Sequence, residues 1–145
     1  MTMPTDTTAL ILEQLADALI FADTDGRIAG WNQAASALFG YRADETLGES
    51  LDLIIPEPLR SAHWRGYRAA IESGKARLSG KPTLTKAIHK DGRKLYVEMT
   101  FALVCDAHGN PIGSVAVARD VTERIERERA ERAMQAQPPT SDSSR

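Results

Sequence analysis

The chain has 145 residues, a formal net charge of −2 and a single cysteine, Cys105. This is enough for one domain with a real core, gives no basic footprint for nucleic acid, and leaves no internal disulfide. Met1 to Thr8 lacks a basic n-region and the apolar run Ala9 to Leu12 is too short for a signal core or a membrane span, so a soluble cytoplasmic protein without a nucleic-acid or membrane partner is expected.

Thr5 or Asp6 caps a short helix that runs to Leu15, with Leu10, Ile11 and Leu15 as its apolar side. Ala18 to Asp23 reads as a strand, Asp25-Gly26 as a tight turn and Arg27 to Trp31 as a second strand, together a hairpin. Asn32 caps a helix over Gln33 to Phe39 that ends at Gly40. Short helical turns fill Ala43 to Leu53, because Asp44, Gly48 and Ser50 interrupt any period.

Pro56 and Pro58 then open a longer helix that stops near Ser73-Gly74. Its expected buried stripe is Leu59, Ala62, His63, Gly66, Tyr67 and Ala70, at helical spacing. His63 is the ionisable member of that stripe, and a neutral imidazole facing a cavity suits iron, with Ala62 and Gly66 leaving space for something flat. Arg60, Trp64, Arg65 and Arg68 project to the flanks, where carboxylates of a bound molecule would be met.

Leu84 to Ile88, the turn Lys90-Asp91-Gly92 and Arg93 to Val104 return the chain to strands. In the last of these, Leu95, Val97, Met99, Phe101 and Leu103 alternate with Tyr96, Glu98, Thr100 and Ala102, so the first set faces the core. A turn at Asp106 to Asn110 precedes a final strand, Ile112 to Ala118, and a charged helix follows from Val121 to Met134. Gln137 to Arg145 has the composition of a disordered tail.

The chain resembles a PAS sensory domain, on the strength of Asp25-Gly26-Arg27-Ile28, Trp31-Asn32-Gln33-Ala34-Ala35, Leu38-Phe39-Gly40-Tyr41, Leu47-Gly48, His89-Lys90-Asp91-Gly92 and Arg119-Asp120-Val121-Thr122-Glu123-Arg124. The resemblance implies an α+β PAS fold: a five-stranded antiparallel sheet with helices packed on one face. A flanking helix would lie in 1–14, the sensory domain in 15–119, a signalling helix in 120–136 and the tail in 137–145. Within the family the chain is most similar to haem-binding sensors. FixL-type oxygen sensors carry Pro-Glu-Pro, Arg-Ser and His in this helix, matched here by Pro56-Glu57-Pro58, Arg60-Ser61 and His63, and RcoM-type carbon monoxide sensors look alike around His63-Trp64-Arg65-Gly66.

That likeness implies haem b with His63 as proximal ligand, a pocket drawn from Arg60, Trp64, Arg65, Tyr67, Arg68, Leu78, Thr83, Val97, Met99, Phe101 and Val115, and Met99 as a possible sixth ligand. Thr83 stands where the oxygen sensors keep a distal arginine, so carbon monoxide, nitric oxide or redox state is as open as oxygen. The reactive Asn-Cys motif of flavin photoreceptors is absent, and no flavin-thiol adduct is expected.

Two other readings stay open from the residues: a cofactor-free interaction module that dimerises through its flanking helices or sheet, and a pocket for a small organic ligand. His89 and His108 sit beside turn glycines and are expected to be exposed. No nucleophile-base pair or phosphate loop supports an enzyme, and one cysteine with three scattered histidines excludes a Cys/His metal centre. No effector domain is present, so a stand-alone PAS protein and an excised sensor are both expected forms, and the effector is unknown.

Overall fold

The computed structural model describes residues 5–75 and 80–136, so Leu78 and the expected tail at 137–145 lie outside the described residues. In chain order the elements are α1 (Thr5–Gln14), β1 (Ala18–Asp23), β2 (Ile28–Trp31), α2 (Gln33–Phe39), α3 (Ala43–Thr46), two single 3₁₀ turns (Leu51–Ile54 and Glu57–Leu59), α4 (Arg60–Ser73), β3 (Thr83–Ile88), β4 (Lys94–Cys105), β5 (Pro111–Asp120) and α5 (Thr122–Ala136). The strands form one sheet in the order β2-β1-β5-β4-β3, with antiparallel neighbours throughout. The α+β PAS architecture read from the sequence is the one observed.

Local chemistry sets these elements. Asp23 closes the β1–β2 turn by accepting from the amides of Asp25 and Arg27, both at 2.9 Å, and Gly26 supplies the left-handed φ of 79° that this turn requires. Asn32 caps α2 by accepting from Ala35 N at 3.0 Å, and Gly40 ends it at φ 84°. The Asn32 side chain also accepts from Leu19 N and donates to Leu12 O and Asp17 O, which ties the end of α1 to the core.

Register fixes which residues share a face. Ala18, Ile20 and Ala22 of β1 lie opposite Ala118, Ala116 and Ser114 of β5, which in turn lie opposite Met99, Phe101 and Leu103 of β4. This inner face packs under the helices, with Phe39 and Val97 fully buried. Removing each of those side chains from water contributes roughly 1.5–3 kcal/mol. Leu19 and Phe21 of β1 pair with Val117 and Val115 on the other face. There Tyr96 packs with Val121 and Ile125 of α5 in a second small cluster.

The face of α4 differs from the expected stripe. Tyr67 and Ala70 are buried and Trp64 and Ile71 pack against the core, whereas Leu59, Ala62 and Gly66 are exposed. The bulky indole of Trp64 sets the phase: it lies so close to Gly26 that a Cβ there would stand 2.1 Å from the ring. Ala62 and Gly66 have too little surface to compete for burial. His89 is a second correction, since its side chain is only 15% exposed and covers Gly40, where an added Cβ would meet the imidazole at 2.4 Å.

Candidate functional site

The site grows from the inner edge of α4, where His63, Trp64 and Tyr67 form an aromatic cluster. The His63 ring stacks on Tyr67 with centroids 5.8 Å apart and planes at 28°, and meets Trp64 edge-on at 4.7 Å. Tyr67 reaches the sheet, with its ring edge-on to Phe101 at 6.3 Å. Its hydroxyl donates to Asp23 O at 2.5 Å and lies 3.2 Å from Ser114 Oγ. Burial pushes the phenol pKa above its usual value, and the Ser114 contact opposes that rise. Trp64 Nε1 donates to Asp52 Oδ1 at 2.7 Å.

His63 differs from both neighbours. Its Nδ1 is the one buried side-chain nitrogen or oxygen without a hydrogen-bond partner among the described residues. Burial lowers the imidazole pKa below its usual value, against a smaller pull from the Asp52 charge, so the ring is held neutral. Neutral imidazole with an available nitrogen is the form that binds a metal.

Beneath α4 the sheet surface is shallow, built from Ala22, Ser114, Ala116 and Ala118. Val97 is fully buried in the floor, and Met99 and Phe101 beside it are half-buried. Thr83 pairs with Met99 at the start of β3, and its hydroxyl donates to Lys81 O at 3.3 Å.

The other expected site residues are not brought to His63. Arg60 uses its guanidinium locally, donating to Ile55 O at 3.0 Å and Asp52 O at 3.3 Å. Arg65 and Arg68 are exposed and, with Ser61, Ala69, Glu72, Arg60 and the rim of Trp64, line an open groove of about 490 Å³ on the flank of α4. Val115 is a correction: paired with Phe21 and Ala102, it points to the outer face and does not line the α4 side. Cys105 is exposed at the end of β4.

Sequence reasoning missed Ser114, Asp52 and Gly26. Only Ser114 carried a signal, as a polar residue at an inward parity of a small-residue strand. Asp52 and Gly26 matter through partners distant in sequence.

The exit from the sheet is also built. Asp120 Oδ1 accepts from the amide and hydroxyl of Thr122, at 2.9 and 2.6 Å. The Thr122 hydroxyl accepts from Tyr96 N at 2.9 Å, and Arg129 lies over the Tyr96 ring, 4.8 Å from its centroid. Arg119 makes a two-point ion pair with Asp17, at 3.1 and 3.2 Å.

With this geometry in place, comparison with known proteins decides the family: a family model described as the PAS fold matches residues 12–126. The chain belongs to the PAS-fold family. It is 32% identical over 111 residues to the oxygen sensor protein DosP of Escherichia coli, a match that covers 77% of this chain and 14% of that protein. A solved PAS domain from Colwellia psychrerythraea superposes with a TM-score of 0.72 at 20% identity, covering 82% of this chain and 98% of that one. An RNA-binding light-oxygen-voltage receptor gives 0.70 at 24% identity, covering 93% and 39%. These last two likenesses establish the fold alone. The chain is a sensory PAS domain, and no helix among its described residues is long and apolar enough to cross a membrane.

Proposed function

We propose that this PAS domain binds haem b with His63 as the iron ligand, and that it senses a diatomic gas or the redox state of the iron. The observation that carries the reading is the buried, unpartnered Nδ1 of a neutral histidine on the sheet-facing edge of α4. The similarity to an oxygen sensor protein supports it. When bound, haem supplies an iron whose coordination and oxidation state respond to gases and electrons.

The chain's own residues do the rest. His63 provides the nitrogen, and the Tyr67 and Trp64 rings fix its orientation. Met99, Phe101 and Thr83 line the sheet side, with the Met99 thioether as candidate sixth ligand and the Thr83 hydroxyl in place of a distal arginine. That exchange leaves carbon monoxide, nitric oxide and redox state level with oxygen as the signal. The signal passes along β5 to Asp120 and α5.

Purified protein grown with a haem precursor shows a Soret band that His63→Ala abolishes; a chain with no band after haem titration does not bind the cofactor. Met99→Leu converts a six-coordinate ferrous spectrum to five-coordinate if Met99 is the sixth ligand, and an unchanged spectrum rejects that role.

A cofactor-free dimerisation module is the second reading, supported by apolar surface left uncovered. Leu10, Ile11, Leu12 and Leu15 are each at least 40% exposed around α1, and Phe21, Val115 and Val117 are only half-buried on the outer sheet face. Both readings include a homodimer through these surfaces. Light scattering of the haem-free chain distinguishes them: a stable dimer without chromophore favours the second, and a monomer rejects it.

A further inference from the structure

The polar atoms around His63 are already committed. Trp64 spends its N–H on the Asp52 carboxylate, and Tyr67 spends its hydroxyl on Asp23 O and Ser114. Arg60, the nearest arginine in sequence, points its guanidinium at the carbonyls of Ile55 and Asp52. His63 Nδ1 faces none of them. The ring is held by packing alone, between the Tyr67 stack and the Trp64 edge.

Metal-binding histidines ordinarily donate their second ring N–H to a carboxylate, carbonyl or water, which fixes the tautomer and raises the basicity of the ligating nitrogen. Loss of such a partner commonly weakens a site by about 10–100-fold in metal affinity. His63 has no such partner among the described residues. A buried N–H without an acceptor is rarer than a buried lone pair without a donor. The resting chain therefore carries its ring proton on Nε2, and leaves the Nδ1 lone pair unbonded.

On the reading that His63 ligates haem iron, we infer that it does so as an unassisted imidazole. Ligation through Nε2 moves the ring proton to Nδ1, where it meets no acceptor, so the ring gains no imidazolate character and the His63–iron bond is the weak bond of the site. The ligand class this selects is a diatomic that strongly labilises the bond opposite to it, which is the property of nitric oxide. In that exchange the iron–nitrogen bond to His63 breaks as the iron–nitric oxide bond forms. No electron leaves the complex, and His63 returns as a neutral imidazole.

The test uses the full chain. In the haem-free protein, nitrogen-15 NMR of the histidine rings shows the His63 proton on Nε2, with Nδ1 free of hydrogen bonding. A protonated Nδ1, or an Nδ1 shift typical of a hydrogen-bonded nitrogen, overturns the inference. In the ferrous haem-loaded protein, nitric oxide gives a five-coordinate product by absorption and paramagnetic resonance, without hyperfine coupling to a histidine nitrogen. A six-coordinate product that retains that coupling overturns the inference while leaving haem binding intact. Absence of a Soret band removes the haem reading itself, so the two failures are distinguishable.

Discussion

Tyr67→Phe removes one oxygen and tests how α4 is fastened to the sheet. The phenol sits in a residue only 4% exposed, and its hydroxyl is the described partner of both Asp23 O and the buried Ser114 hydroxyl. Phenylalanine keeps the ring, its stack with His63 and its edge contact with Phe101, so little packing is lost. The cost is the desolvation of groups left unpaired, about 1–3 kcal/mol for a neutral buried pair. For a domain of this size that lowers Tm by roughly 3–10 °C. Removing the other partner as well relieves part of the penalty, so Tyr67→Phe combined with Ser114→Ala is less destabilised than the sum of the singles by about 1 kcal/mol. Thermal and urea unfolding followed by circular dichroism read all four proteins of the cycle. A melting point within a degree or so of the parent, or strict additivity, refutes the argument that this hydroxyl pair anchors the helix.

Asn32→Ala takes away a side chain that makes four hydrogen bonds, two of them to the α1–β1 segment, and destabilises by about 2 kcal/mol or more. Amide exchange in α1 accelerates more than exchange in β4, and equal acceleration of both counts against α1 being tied down at this point. Ile125→Ala strips the docked face of α5, whose buried contacts are Tyr96, Val121 and Ile125, so exchange across α5 rises while Tm falls by only a few degrees. Retained protection shows that α5 is held by something else. For His63, burial places the folded pKa below the unfolded value near 6.5, so below that pH the unfolded chain binds the extra proton. The contribution to stability is complete above the unfolded pKa and is lost as pH falls toward the folded one. Urea midpoints measured from about pH 7.5 down to pH 5 therefore decline less steeply in His63→Leu than in the parent. Identical slopes reject the buried-imidazole account.

How far the sequence reached depended on how local the cause was. The alternation over Leu95 to Phe101, the Asp25-Gly26 turn and the Asn32 cap each have their reason within a few residues, and each is found as expected. The phase of α4 has its reason elsewhere. Trp64 is drawn inward by the open space over Gly26 and by Asp52, neither of which a periodicity count along the helix can see. His89 is covered because Gly40 leaves room for it, again through a contact far along the chain. Val115 illustrates a different failure. Along β5 both parities carry apolar or small residues, and the larger valines suggest an inward face. The register instead turns Ser114, Ala116 and Ala118 inward, because the rings of Tyr67 and Phe101 already occupy the space over that part of the sheet.

The same arrangement explains why the residue with the most chemistry carries the least structure. Trp64 and Tyr67 hold α4 against the β1–β2 turn and β5 through directed hydrogen bonds, and each has a partner that would be stranded by its loss. His63 lies between them, contributes ring contacts only, and strands no partner if removed. A histidine kept merely to satisfy the fold would normally have both ring nitrogens accounted for by bonds or by water. Here the fold closes around the imidazole without using its buried nitrogen, and the cost of that orphan is of the order of 1 kcal/mol or more. Substitution at His63 therefore separates ligation from folding more cleanly than substitution at either neighbour. A His63→Ala chain with native-like melting and no cofactor spectrum would place the function of the domain at that ring, whereas Trp64→Ala and Tyr67→Ala lose both together.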